Sequence, residues 1–292
     1  MRPNTYALRY LAAALLPLWL VAGSGCAKEK AGNPAFIEID TISLNAQNHG
    51  SSSSHFTDAW IYINSNLLGA FELPARIPVL QEGNADVIIF PGIQLNGLST
   101  VRTQYLKTVP YQGSLNFVPG QTIKMNPVLK YDSLTVFEYM ENFEQAGVTI
   151  DKSEGAYGQY TRILGAPQIA FEGGGCGLLT HDGAENTITQ IETNNWFTLP
   201  KGDVGGIYFE LNYKCNTSFT VSLLAKPSDG VVQRIGVIGI NPSPTWKKMY
   251  VGISSTVNQY TAGNQFKPVI GYSRNPSIPV QEVYIDNLKM LY

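Results

Sequence analysis

Aromatic side chains next to amides are the residues of this sequence best suited to binding a sugar. Trp196 directly follows Asn195, and Trp246 and Tyr260 lie further along the chain. Aromatic faces stack on sugar rings, and amide groups form hydrogen bonds with sugar hydroxyls. Each of these rings has an alternative role in the core or in a cross-strand pair. We predict Trp196, Asn195, Trp246 and Tyr260 as candidate ligand-binding residues.

The sequence shows no catalytic arrangement of histidines and carboxylates. The three histidines, His49, His55 and His181, lack the spacing of a zinc motif, and no Gly-x-Ser-x-Gly segment supplies a nucleophile. A glycosidase needs two facing carboxylates, whereas Glu210 is the only carboxylate that its strand pattern offers. We therefore predict that the chain is not an enzyme, and glycoside hydrolysis is kept as the least favoured alternative.

The first 26 residues have the composition of an export signal. Arg2 and Arg9 precede an apolar run over residues 11–22, and residues 23–25 are small. Twelve apolar residues are too few to cross a membrane core of about 30 Å. Residues 27–34 form a short polar tether. Without the signal, 18 lysines and arginines face 22 aspartates and glutamates, and this weakly acidic balance excludes nucleic acid as an expected partner.

Cys26 follows these small residues directly, which resembles the lipobox of bacterial lipoproteins. Gly23 departs from that pattern, because the family usually has leucine there. The resemblance implies that Cys26 is acylated and holds the chain at the outer membrane or cell surface. The alternative is an ordinary secretory signal, cleaved before Cys26.

Two further cysteines, Cys176 and Cys215, lie in the body of the chain. An exported compartment permits a disulfide between them. Buried free thiols are the equally weighted alternative.

Apolar residues alternate with polar ones from Phe36 onward, for example over residues 36–40, 59–63 and 207–213, and this period predicts β-strands. Residues 64–66 predict a tight hairpin turn. We predict an all-β fold of two consecutive β-sandwich domains, a small one over residues 35–130 and a jelly roll over residues 131–292.

Residues 61–69, followed by Pro74 and by residues 84–89, resemble the small PEGA-type or immunoglobulin-like β-domains of bacterial surface proteins. The resemblance implies a spacer or recognition role. Residues 65 and 66 stand where that family has its first glycine.

The second region resembles the galactose-binding-like and laminin-like jelly rolls of carbohydrate-binding modules and of Bacteroidetes surface lipoproteins. The resemblance rests on an opening stretch at residues 137–144, glycines 173–175, the strand 207–213 and the final run 284–287. It implies a possible structural calcium held by Glu141 or Glu144 with Asp286. The alternative is that Asp286 caps a turn and the glutamates face solvent.

Together these features predict a lipid-anchored, non-catalytic cell-envelope protein whose jelly roll recognises a glycan or another envelope protein. The alternative function is a structural accessory subunit of an outer-membrane secretion or gliding assembly.

Overall fold

The computed structural model describes residues 32–147, 149–183, 187–202, 205–227, 230–261 and 263–292. The protein is nearly all β, with 55% of residues in strands and 3% in helix, so the predicted all-β class is confirmed. Within these described ranges no helix has the length and apolarity needed to cross a membrane. The predicted signal and Cys26 lie outside the described residues.

The described residues of the first half form eleven strands in three sheets. A five-stranded sheet has the order β4-β3-β6-β7 with β9 also paired to β6, and two three-stranded sheets have the orders β10-β1-β5 and β2-β11-β8. The strands are β1 (Ala35–Ile39), β2 (Ser43–Asn45), β3 (Asp58–Ile63), β4 (Asn66–Glu72), β5 (Ala75–Val79), β6 (Gly83–Gln94), β7 (Arg102–Gln104), β8 (Thr108–Val109), β9 (Tyr111–Phe117), β10 (Thr122–Lys124) and β11 (Val128–Tyr131). Leu95–Gly97 form a 3-10 turn after β6.

The predicted hairpin joins β3 and β4. Its turn residues Asn64 and Ser65 both have positive φ angles, 48° and 66°. This backbone matches the right-handed twist of paired strands. In β3, Ala59 and Ile61 are fully buried between the sheets, as the alternation predicts.

The second half is a sandwich of two six-stranded sheets. The front sheet has the order β14-β15-β23-β18-β21 with β12 also on β23, and the back sheet has the order β13-β16-β22-β19-β20 with β17 also on β22. The strands are β12 (Phe137–Glu141), β13 (Ile150–Lys152), β14 (Gln159–Ile163), β15 (Cys176–His181), β16 (Ile188–Thr193), β17 (Phe197–Thr198), β18 (Tyr208–Cys215), β19 (Phe219–Lys226), β20 (Gln233–Ile240), β21 (Ser243–Gly252), β22 (Gln265–Ser273) and β23 (Gln281–Leu291). One short helix, α1 (Ser254–Asn258), follows β21.

The front sheet is covered on both faces at one end. Phe209 and Leu211 of β18 face the core between the two sheets of the sandwich. Tyr208, Tyr250 and Leu291 of the same sheet belong instead to the core of the first half. The two halves therefore share apolar packing across the outer face of the front sheet.

Each of these sheets draws all its described strands from one half of the chain, β1–β11 or β12–β23. The predicted domain limits at residues 35–130 and 131–292 stay a prediction, because the shared packing joins the halves.

Candidate functional site

A cleft of about 390 Å³ lies where loops of the first half meet β18 and the edge strand β21 of the front sheet. We call it the interface cleft. It is lined by Ser53, Ser54, His55, Gln94, Gly97, Phe171, Asn212, Tyr213, Trp246, Lys247, Lys248, Met249 and Tyr250. Both halves of the chain are needed to form it.

The strand register aligns the polar groups of the cleft. Asn212 of β18 lies opposite Asp286 of β23 on one side and Lys248 of β21 on the other. Residues opposite each other in neighbouring strands share a face, so these three side chains lie on the outer face of the front sheet.

Asn212 and Lys248 keep unused hydrogen-bonding capacity in this row. Asn212 is 1% exposed, and its Nδ2 donates to Ser53 Oγ at 2.9 Å. Its Oδ1 is buried and has no hydrogen-bond partner within the described residues. Lys248 Nζ lies 2.8 Å from Glu210 Oε2 but outside hydrogen-bond geometry, and no other described group accepts its protons. The cleft thus offers one acceptor without a partner beside an ammonium group that is ion-paired with Glu210 and has protons left to donate.

An aromatic group borders these polar residues. Trp246 packs edge-to-face against Phe171 at 5.8 Å and Tyr284 at 6.5 Å between ring centroids. Lys214 Nζ lies 4.5 Å from the centroid of Tyr284 and 5.6 Å from that of Trp246. Phe171 is 38% exposed. Aromatic surface next to buried polar groups is the usual composition of a small-molecule site.

A buried ionic network under the cleft joins the two halves. Glu210 is 1% exposed and accepts a hydrogen bond from the Tyr105 hydroxyl of the first half. Lys289 is 2% exposed and donates to Ser51 O at 2.7 Å and to Tyr131 Oη at 3.1 Å. Burial lowers the pKa of Lys289 to about 8 and raises the pKa of Tyr105 well above its usual value.

Asp286 lies on the same face and is fully buried. Its Oδ2 accepts hydrogen bonds from the backbone N–H groups of Phe171 and Glu172 at 3.2 and 3.3 Å. Burial raises the pKa of Asp286 to about 7, and the backbone donors oppose that rise. The carboxyl group therefore fixes the segment that carries Phe171 against the cleft.

Of the predicted ligand residues, the structure places Trp246 in the interface cleft and the others elsewhere. Trp196 lies against Lys226 and Lys267 of the back sheet, with the ammonium groups 5.7 and 5.1 Å from its ring centroid. Asn195, directly before it, is exposed. Tyr260 packs edge-to-face on Phe266 and donates to Gln233 Oε1. Ligand binding by these three residues stays a prediction.

Sequence reasoning missed the contribution of the serine-rich segment around residues 51–55. The sequence shows only a polar, serine-rich stretch there, whereas Ser51 and Ser53 contact the front sheet and the His55 N–H donates to Tyr250 Oη at 2.9 Å. The sequence carries no signal for these contacts, since their partners lie more than 150 residues away. Asn212 was similarly missed, although alternation places it on the same face as Glu210.

The cysteine alternatives are resolved in favour of free thiols. Cys176 and Cys215 are both buried and unbonded. They lie on β15 and β18, which both pair with β23 and are therefore separated by it. Two strand spacings are about 9.6 Å, beyond the roughly 7 Å limit for a disulfide between Cα atoms. Of the two alternatives left open by the sequence, the structure therefore has the free thiols.

The three predicted calcium ligands do not fit a calcium site. Glu141 accepts from Phe143 N–H and the Thr149 hydroxyl, and Glu144 accepts from the N–H groups of Gly174 and Gly175. Asp286 is occupied by backbone donors, as described above. Across the described part of the chain, no three histidine, cysteine, aspartate or glutamate side chains form a group suited to a metal ion.

No protein-family model and no curated protein matches this sequence. Among solved structures, the family 30 carbohydrate-binding module of a cellulosomal cellulase of Clostridium thermocellum is 12% identical over 55% of this chain and 97% of the module, with a TM-score of 0.40. The family 11 module from the same organism, in complex with a β-1,3-1,4-mixed-linked tetrasaccharide, is 16% identical over 53% and 95%, with a TM-score of 0.38. These similarities are too low to indicate the function of this chain.

Proposed function

We propose that this chain is a non-catalytic binding protein whose interface cleft accepts a glycan. The observation that carries the proposal is the pair of buried, unsatisfied groups, Asn212 Oδ1 and Lys248 Nζ, beside the rings of Trp246 and Phe171. A buried polar atom without a partner costs about 1–3 kcal/mol, so a ligand that supplies the partner recovers that energy. A sugar hydroxyl donates and accepts at once, which matches an acceptor next to a donor.

Binding of the purified full-length chain to a glycan array, followed by calorimetry, tests the proposal. We expect Trp246→Ala to weaken binding about tenfold or more, because loss of an aromatic contact costs about 1–2 kcal/mol. Trp196→Ala is the comparison variant, since that ring lies against the back sheet, and it should bind like the parent if the cleft rather than the predicted Trp196 site holds the ligand. Circular dichroism and thermal melts verify that both variants fold.

Equal loss of binding in both tryptophan variants, or none in either, would move the site away from the cleft. If no glycan binds and membrane proteins co-purify with the chain, the accessory-subunit alternative replaces the proposal.

We also propose that Cys26 carries a lipid that holds the folded body at the outer membrane or cell surface. The support is the sequence pattern before Cys26 and the polar tether after it. Mass spectrometry of the N-terminal peptide should show acyl chains on Cys26, and Cys26→Ser should release the protein from the membrane fraction. A chain that keeps Met1, or that starts unmodified after the signal, contradicts the anchor without affecting the cleft.

A further inference from the structure

We infer that the interface cleft selects an acidic glycan, one whose sugars carry a carboxylate or a sulfate ester. The inference rests on the proposed function and adds the class of ligand. Its basis is the charge of the groups that surround the cleft.

The lining of the cleft is cationic. It includes Lys247 and Lys248, and none of the described residues that line it is an aspartate or glutamate. Lys214 adds a third ammonium at the aromatic end, near Trp246 and Tyr284. A concave site lined by one sign of charge attracts ligands of the opposite sign.

Lys248 is the group of the cleft best placed to bind an anion. Its side chain is 3% exposed, and its ammonium group has three protons to donate. Glu210 balances its charge at 2.8 Å without forming a well-directed hydrogen bond. The other carboxylate oxygen of Glu210 is occupied by the Tyr105 hydroxyl. The protons of Lys248 thus remain available to an oxyanion that enters the cleft.

Apart from Glu210, the neighbouring carboxylates are engaged within the protein. Glu172 is engaged by the Ser51 hydroxyl and lies 3.4 Å from Asn287 Nδ2. Asp286 lies on the same face of the sheet, and its carboxylate accepts hydrogen bonds from the backbone of residues 171 and 172. Both are directed at partners within the protein, whereas Lys247, which the lining includes, is exposed. The outward-facing charge is therefore positive.

The experiment compares ligands of one backbone with and without charge. Binding of polygalacturonate is measured against its carboxyl-reduced form, and binding of a sulfated galactan against the desulfated polymer. We expect at least one acidic polymer to bind about tenfold or more tightly than its neutral counterpart, with an affinity that falls as salt rises. The two ligand pairs tell a carboxylate from a sulfate ester.

Three lysine variants locate the charge effect. Lys247→Gln, at an exposed position, should weaken acidic binding several-fold and leave the salt dependence shallower. Lys248→Gln should weaken it further, and a thermal melt verifies that this buried variant still folds. Lys226→Gln, on the back sheet, is the control and should change nothing.

Equal affinity for each acidic polymer and its neutral counterpart would overturn the inference while leaving glycan binding intact. Unchanged acidic binding in Lys247→Gln and in folded Lys248→Gln would also overturn it. Binding of no polymer, charged or neutral, would instead remove the proposed function on which the inference rests.

Discussion

Lys289 provides a sharp test of the buried network between the two halves, because its charge is costly in the folded chain. Burial lowers its pKa from 10.5 to about 8. Above pH 8 the unfolded chain still binds the proton that the folded chain has released, so the free energy of unfolding should rise with pH. From pH 8 to pH 9.5, the difference in proton binding by Lys289 between the folded and the unfolded chain should raise the free energy of unfolding by about 1.5 kcal/mol.

Urea denaturation of the parent and of Lys289→Met at pH 8 and 9.5 measures this effect. Other groups titrate here with the opposite sign, since burial raises the pKa of Cys176 from 9.0 to about 11 and its stabilisation is lost as pH rises. The readout is therefore the change in the free energy of unfolding from pH 8 to pH 9.5 in the parent minus the same change in the variant, which should be positive by about 1.5 kcal/mol. Lys226→Met, at an exposed position, should keep the parent slope. Parallel curves for parent and Lys289→Met would refute a destabilising buried ammonium.

Three further predictions concern other buried positions. Burial raises the pKa of Asp286 from 3.8 to about 7. The protonated carboxyl group therefore stabilises the folded chain fully below pH 3.8, and this contribution is lost as pH rises through 7. Between pH 5 and 7.5, the free energy of unfolding measured by denaturation should fall less for Asp286→Asn than for the parent. Gly175→Ala would place a Cβ 2.3 Å from a backbone carbonyl oxygen and should cost about 1–3 kcal/mol in a urea melt, whereas Gly174→Ala, whose nearest neighbours are 3.6 Å away, should cost less. In a Cys26→Ser chain, Cys176 and Cys215 should titrate as two thiols in unreduced denatured protein and resist the thiol reagent when folded; a value of zero after unfolding would indicate a disulfide.

Local pattern predicted the features of the fold that depend on nearest neighbours. The alternation in residues 59–63 corresponds to β3, and the polar residues Asn64 and Ser65 form the positive-φ turn of its hairpin. Alternating burial and the type of turn are determined by residues close together in the chain, so both can be predicted from the sequence.

The features that build the cleft depend instead on long-range packing. Ser53 meets Asn212 across 159 residues, and Ser51 meets Lys289 across 238. The sequence shows a serine-rich segment and polar residues in strands, but no sequence pattern indicates that this segment packs against those strands. The same limit explains why the sequence did not separate Trp196, which lies against the back sheet, from Trp246, which belongs to the front sheet. The sequence also could not decide between a disulfide and free cysteines, because the separation of β15 and β18 by β23 is a property of the sheet topology.

The buried charges and the unsatisfied groups of the cleft have a common structural reason. A front sheet with a solvent-facing outer surface could hydrate Glu210, Lys248 and Lys289, but the first half covers that surface and excludes water from much of it. Charges buried in this way add little to stability and can fix one arrangement of the parts that carry them. Here Tyr105 and Ser51 bring the first half to one position on the sheet. A cleft whose walls come from two halves needs that fixed position, because a ligand can satisfy Asn212 and Lys248 together only if their distance from the opposite wall does not vary.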